Sequence, residues 1–419
     1  MRVELPRRFE RFGSVRIHNV QEVFQLDSGL DPTDPGTTAS LVDCVAPHDI
    51  NAIEKRMAIV VPCRSERLKV IEGVISGIPH DCLVIVVSNS PRHPVDRYQM
   101  EAAMLAQYAA ITRRPLVAVH QEDPGAAAGF MAGGYRSIVH RDRIRTGKAE
   151  GMLLGIALAM LAGKDYIGFV DADNYVPGAV HEYVKAYAYA FHRAGSPFAM
   201  VRINWASKPK VKGGRLFFGR HGRVSENTNR IFNEVLEFYT GFGTDAIQTG
   251  NAGEHALTAA LALELEYAAG YAVEPFEIIS CFEQFSGVHP PPNPRVMERG
   301  VDIYQIRSKN PHFHDDKGDE HIRSMMNVSM QVIRDSSICP PPLRTRLEAR
   351  LRPRSGQRLP RVRQYPAIKH LDLAGFGRAF AAESRSLLVL PDRQRAPFLE
   401  LPGATRATRA TRASRRRLR

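Results

Sequence analysis

Cysteine is scarce in this 419-residue chain and tryptophan scarcer still, with five of the one and one of the other. Cys44, Cys63, Cys82, Cys281 and Cys339 are odd in number, widely spread and never in a CxxC pair. Neither a disulfide framework nor a zinc knuckle is suggested. No apolar run approaches the roughly 18 residues that read as a membrane span, and the opening MRVELPRRFERF has no apolar stretch of the kind a secretory signal carries. A cytoplasmic protein with no membrane partner is expected. Glycine-rich phosphate loops are missing too. No G-x-G-x-x-G follows a strand-like run and no P-loop occurs, so neither dinucleotide nor kinase-type phosphate binding has support.

What is abundant is positive charge, +13 overall. From Pro341 to Arg419 there are 20 Lys and Arg against five Asp and Glu, so the preceding 340 residues sum to about −2. A basic tail argues for nucleic acid more weakly than a basic folded face, and no nucleic-acid partner is expected for the body. The end, ATRATRATRASRRRLR, has no acidic residue and no apolar periodicity. Disorder is expected over 403–419 within a basic extension, 341–419.

Short apolar runs separated by helical stretches dominate the first half. MAIVVP (57–62), CLVIVVS (82–88), PLVAVH (115–120) and DYIGFVD (165–171) read as strands. Leu68–Ser76, Asp96–Ile111 and AEGMLLGIALAMLAG (149–163) read as helices. Unalternating strands between helices are what a parallel sheet covered on both faces requires, so the fold class is α/β. Residues 1–56 read as an irregular segment with a strand pair at Ser14–Gln25, packing on an α/β region, 57–200. A second region, 201–340, contains strands AMVRIN (199–204, across the boundary) and RLFF (215–218). It also contains helices at 229–242 and at Ala252–Glu266, a proline loop at 289–294 and a last ordered helix at His321–Asp335.

Asp171-Ala172-Asp173 stands at the end of an apolar strand, where open α/β sheets bind ligands. Two carboxylates one residue apart can share a hard divalent cation, which would neutralise a leaving diphosphate; a solvated turn would look the same. His312 and His314, in an extended N-P-H-F-H segment, offer imidazole to the same ion, and the spacing does not choose between them. Pro62 and Glu66 follow the first strand of the α/β run and Asn89 the second, so all three reach the same sheet edge. Arg145 and Lys148 open the long apolar helix, a place suited to anions. Thr249-Gly250-Asn251-Ala252-Gly253-Glu254-His255 is a small-residue loop through which backbone can approach a ligand, with Asn251 and His255 as polar contacts.

SGIPHDCLVIVVSNS, RTGKAEGM, YIGFVDADNYVPGAV, TGNAGEHA and NPHFHDDKGDEH, in that order from about Gly13 to Asp335, resemble the mannosyl-3-phosphoglycerate synthases. The resemblance implies a retaining glycosyltransferase of the glycosyltransferase-A fold. GDP-mannose would be the donor and 3-phosphoglycerate the acceptor, in mannosylglycerate biosynthesis. It implies Asp171 and Asp173 as metal aspartates, with one histidine of His312/His314 as a further ligand. Pro62, Glu66, Asn89, Lys148, Asp171 and Ala172 would lie against the GDP moiety, and Arg145, Asn251 and His255 against the acceptor. The expected cofactor is a divalent metal, Mg²⁺ first with Mn²⁺ or Co²⁺ as alternatives, and a homodimer is compatible. A glucose-donor synthase and a sugar-phosphate nucleotidyltransferase remain the rival readings. Glu226, Glu254 and Glu274 stay open as nucleophiles of a double displacement. The tail after Pro340 departs from the resemblance.

Overall fold

The computed structural model describes residues 1–26, 42–212, 215–219, 223–314, 318–351 and 361–390. Its spine is one sheet of 12 strands. In chain order these are β1 (Arg2–Glu4), β2 (Phe9–Phe12), β3 (Val15–Gln25), β4 (Val42–Cys44), β5 (Met57–Cys63) and β6 (Leu83–Ser88). Next come β7 (Leu116–His120), β8 (Tyr166–Phe169), β9 (Ala199–Asn204), β10 (His255–Thr258), β11 (Val301–Arg307) and β12 (Leu388–Leu390). The spatial order is β12-β7-β6-β5-β8-β10-β9-β11-β3-β1-β4, with β2 on β3. β7, β6, β5 and β8 run parallel, as do β9, β11 and β3. β10 is inserted antiparallel between the two groups.

The α/β expectation holds, because β5, β6, β7 and β9 are buried at nearly every position and must be covered on both faces. One face is covered by Lys148–Leu161 and Val273–Phe285, the other by Leu68–Gly77 and Pro177–Arg193. Each face has its own apolar cluster. Lys148–Leu161 lies so close to the sheet that a Cβ at Gly155 would meet Val60 Cγ1 at 2.4 Å.

Three expectations are corrected. Ser14–Gln25 is not a strand pair but a single strand, β3. It pairs parallel with β11 and antiparallel with β2 and β1, so the first residues belong to the sheet. Ala252–Glu266 is not one helix. His255–Thr258 forms β10, because a gap between β8 and β9 supplies both ladders, and only Ala259–Glu264 is helical.

The ordered chain also does not stop at Asp335, since helices follow at Pro341–Leu351 and Leu373–Glu383. Leu343, Leu347 and Leu351 recur every fourth residue and are buried, an apolar stripe submerged in arginines. Past them, Phe376 meets Phe130 edge-on at 4.9 Å, and β12 closes the sheet against β7. The Asp123 carboxylate accepts the Arg385 and Ser386 N–H groups at 3.0 and 2.6 Å, which ties this segment down. The expected disorder at 403–419 falls outside the described residues.

Candidate active site

Strands β5, β6 and β8 are neighbours and parallel, so their C-terminal ends open on one edge. Pro62 stands one residue before the end of β5, beside Val87, and the Asn89 N–H donates to the Cys63 carbonyl at 2.8 Å. Ser65 sits at φ 67° with its N–H on Ser90 Oγ at 2.8 Å. Beneath them Glu101, fully buried on Arg97–Thr112, accepts from Ser88 Oγ at 2.6 Å and Ser90 Oγ at 2.7 Å. One carboxylate thus fixes both loops, a role invisible in a helical run of alanines and glutamines. Glu66 folds its carboxylate onto the Arg64 N–H.

Asp171, Ala172 and Asp173 leave β8 on the same edge; the Val170 N–H still bonds to the Val60 carbonyl at 3.1 Å. Lys148, on the first turn of its helix, places Nζ 2.6 Å from Asp171 Oδ1 and 2.8 Å from Glu274 Oε1. Burial by itself would lower this ammonium. The two carboxylates outweigh that and hold its pKa well above the usual lysine value.

Gly253 is required at this contact. A Cβ there would stand 2.6 Å from Asp171 Oδ2 and 3.4 Å from Lys148 Nζ. Gly253→Ala is therefore expected to displace the Asp171 carboxylate and cost about 10²-fold in turnover. A Tm change of only a few degrees should accompany it, both read on one preparation; turnover at the wild-type level would refute the requirement.

The distant histidine segment arrives through the backbone. The Tyr175 N–H donates to the Phe313 carbonyl at 2.8 Å, and the His312 N–H donates to the Ser207 carbonyl at 2.9 Å. Glu182, fully buried on Pro177–Arg193, accepts the Lys309 and Asn310 N–H groups at 2.6 and 2.9 Å. This second carboxylate anchor also gives no sign of itself in the sequence.

The two histidines are not equivalent. His314 Nδ1 lies 4.0 Å from Asp173 Oδ2. His312 is buried, stacked on Trp205 at 4.6 Å, with Nδ1 3.4 Å from Glu254 Oε1. Burial, reinforced by Lys208 and His314, holds His312 well below the ordinary imidazole range. Burial together with the charge of Asp171 pushes the Glu254 carboxyl up to about 8, while Glu254 Oε2 accepts from Trp205 Nε1 at 2.9 Å. Near neutral pH both His312 and Glu254 are uncharged, so neither adds a charge beside Asp171.

Among the described residues no three His, Cys, Asp or Glu side chains converge as a ready metal cluster. Asp315, Asp316 and Lys317 lie outside them. The donor chemistry present does fit a hard or borderline divalent ion, with Asp173 and His314 adjacent and Asp171 two residues away.

Two expected acceptor contacts change place. His255 is fully buried; Nδ1 faces the Ala252 and Gly253 carbonyls at 3.1 Å and Nε2 faces Glu277 at 3.1 Å, so the ring serves the core rather than a ligand. Arg145 sits apart, its Nε donating to the Ser137 carbonyl at 3.3 Å, in a cavity shared with Glu150 and Tyr365. Asn251 lies two residues before Gly253 in the same loop. Its Nδ2 donates to Ser329 Oγ at 3.0 Å, and its buried Oδ1 has no hydrogen-bond partner among the described residues.

The mixed, mostly parallel sheet presents two carboxylates at the end of a central strand, with a lysine against one of them, at the edge where open α/β sheets bind ligands, and the comparisons place the chain among the glycosyltransferases. Residues 5–380 match the model of the mannosyl-3-phosphoglycerate synthase family, and the chain belongs to that family. It is 39% identical over 394 residues to the mannosyl-3-phosphoglycerate synthase of Pyrococcus furiosus, covering 93% of this chain and 99% of that one. It is 37% identical over 349 residues to the enzyme of the same name from Aeropyrum pernix, covering 83% of this chain and 88% of that one. Among solved structures, glucosyl-3-phosphoglycerate synthase of Mycobacterium tuberculosis superposes with a TM-score of 0.47 at 16% identity, over 76% of this chain and 94% of that one. No helix among the described residues is long and apolar enough to cross a membrane.

Proposed function

We propose that this protein transfers mannose from GDP-mannose to the 2-hydroxyl of 3-phospho-D-glycerate with retention of configuration. The bond between the anomeric carbon and the GDP oxygen breaks on the face at which the acceptor oxygen bonds. The hydroxyl proton passes to the departing phosphate, so that GDP and mannosyl-3-phosphoglycerate leave in balance. The observation that carries the reading is the meeting of Asp173 with His314 through the Tyr175–Phe313 backbone bond, on the edge that also presents Pro62, Glu66 and Asn89.

Asp173 and His314, with Asp171, would hold a divalent ion. When bound, that ion supplies positive charge to the diphosphate as it departs. Lys148 provides a second, permanent positive charge at the same place, and Asn251 Oδ1 can accept from a hydroxyl of the acceptor. A same-face route fits the three candidate nucleophiles. Glu226 is exposed on the Arg223–Thr240 helix, Glu254 is fully buried and held protonated, and Glu274 is committed to Lys148.

GDP release from GDP-mannose should require both 3-phosphoglycerate and a divalent ion, and should stop in EDTA. Release of GDP from a glucose donor at equal or higher kcat/KM would reassign the donor. Pyrophosphate release from GTP and mannose 1-phosphate would replace the class.

A further inference from the structure

On the other side of the Lys148–Leu161 helix lies an open cavity of about 710 Å³. Lys148 and Glu150 are two residues apart, hence about 200° apart around the helix. Lys148 faces Asp171, and Glu150 faces this cavity. Besides the helix itself, four stretches of chain build it: Glu122, the hairpin of Val139–His140 with Arg143–Ile144, the loop at Ala269, and Arg363–Tyr365 of the C-terminal segment.

Its lining is cationic. Arg141, Arg143, Arg145 and Arg363 face two carboxylates, and both carboxylates already have partners. Glu122 takes Arg143 Nη1 at 2.8 Å. Glu150 accepts from Tyr365 Oη at 2.6 Å and from the Gly270 N–H at 3.3 Å, and burial raises its pKa. Arg141, Arg145 and Arg363 make no ion pair among the described residues. Arg141 also stands in left-handed backbone, at φ 49°, followed by Asp142 at φ 60°. A hairpin turn needing positive φ at both central residues favours Asn or Gly there. An arginine at the first of them presents its guanidinium at the cavity mouth at a conformational cost.

We infer that this cavity is a second anion site, separate from the catalytic carboxylates, that takes a phosphorylated small molecule. Guanidinium forks without a carboxylate partner match the oxygens of a phosphate group, two or three of them around one ligand. The volume suits a metabolite rather than a polymer. Because the hairpin leads through Thr146 and Gly147 into Lys148, an occupant also touches the segment that positions the catalytic lysine. The inference stands independently of which sugar or acceptor the enzyme uses.

Equilibrium dialysis of the full-length protein with labelled inorganic phosphate tests it, without metal or substrates. Wild type should bind. Arg141→Ala/Arg363→Ala, two exposed side chains whose loss leaves the core intact, should bind at least tenfold more weakly. Lys148→Ala should bind like wild type. Binding unchanged in the double arginine variant, or lost in Lys148→Ala, would overturn the inference, the latter by placing the anion on the catalytic side. No binding in wild type up to tens of millimolar would overturn it as well.

Discussion

Asp173→Ala is expected to lower kcat/KM for GDP-mannose by about 10³-fold or more, the upper range for one electrostatic contact to a developing charge. The same change should barely alter stability. Asp173 is partly exposed, and its contact with His314, at 4.0 Å, is too long for a strong bond. A pair of that kind is worth about 0–1 kcal/mol. Turnover and thermal unfolding measured together decide the matter. A variant that retains activity within tenfold of wild type would remove Asp173 from the reaction, and one that is inactive but also unfolded would be uninformative without His314→Ala beside it. His314→Ala should reproduce the loss, and its affinity for Mn²⁺, read by electron paramagnetic resonance, should fall. His312→Ala should instead cost stability, since His312 is stacked on Trp205 and buried against Glu254.

Lys148→Met should have the second largest effect, and on two readouts. The ammonium joins Asp171 and the nearly buried Glu274. Removing it leaves like charges facing each other across the space it occupied. Breaking a buried pair costs about 3–5 kcal/mol, reduced to about 2–3 kcal/mol here because Asp171 keeps some contact with solvent. KM for GDP-mannose should rise together with a fall in kcat, because the lost charge faces the diphosphate in both ground and transition states.

The pH dependence follows from the direction of the lysine shift. The folded pKa lies above the unfolded one, so the stabilisation is fully present below about 10.4, the ordinary lysine value, and is lost only as pH rises through the folded pKa. Between pH 6 and 9 the wild-type contribution should be flat. In Lys148→Met the unrelieved carboxylates take up protons more readily in the folded state, so the deficit should shrink as pH falls from 7 toward 5. Urea unfolding of both proteins at pH 5 and pH 7.5 measures this. A deficit independent of pH would mean that lost packing, not charge, is responsible.

What could be read beforehand divides along physical lines. The strands at 57–62, 82–88, 115–120, 165–171 and 199–204 were legible because both faces of a parallel strand are buried, and the residues must be apolar without interruption. Asp171 and Asp173 were legible because a carboxylate pair directly after such a strand lies at a known edge. β10 was not. HALT has too little pattern to distinguish strand from helix, and it is a strand because β8 and β9 stand on either side of it. The helix Pro341–Leu351 was hidden by its arginines, which mask an apolar stripe only three leucines long.

The order of motifs and the chemistry of their side chains determined the family, the sheet class and the carboxylate pair from sequence alone, since those depend on residue type and local period. Tertiary structure alone decided that His314 rather than His312 faces Asp173. It also decided that His255 serves the core, that Lys148 is clamped between Asp171 and Glu274, and that Glu101 and Glu182 hold the site loops from beneath. Those facts depend on side chains far apart in the chain meeting at one sheet edge, and a buried carboxylate that accepts distant N–H groups has no local signature.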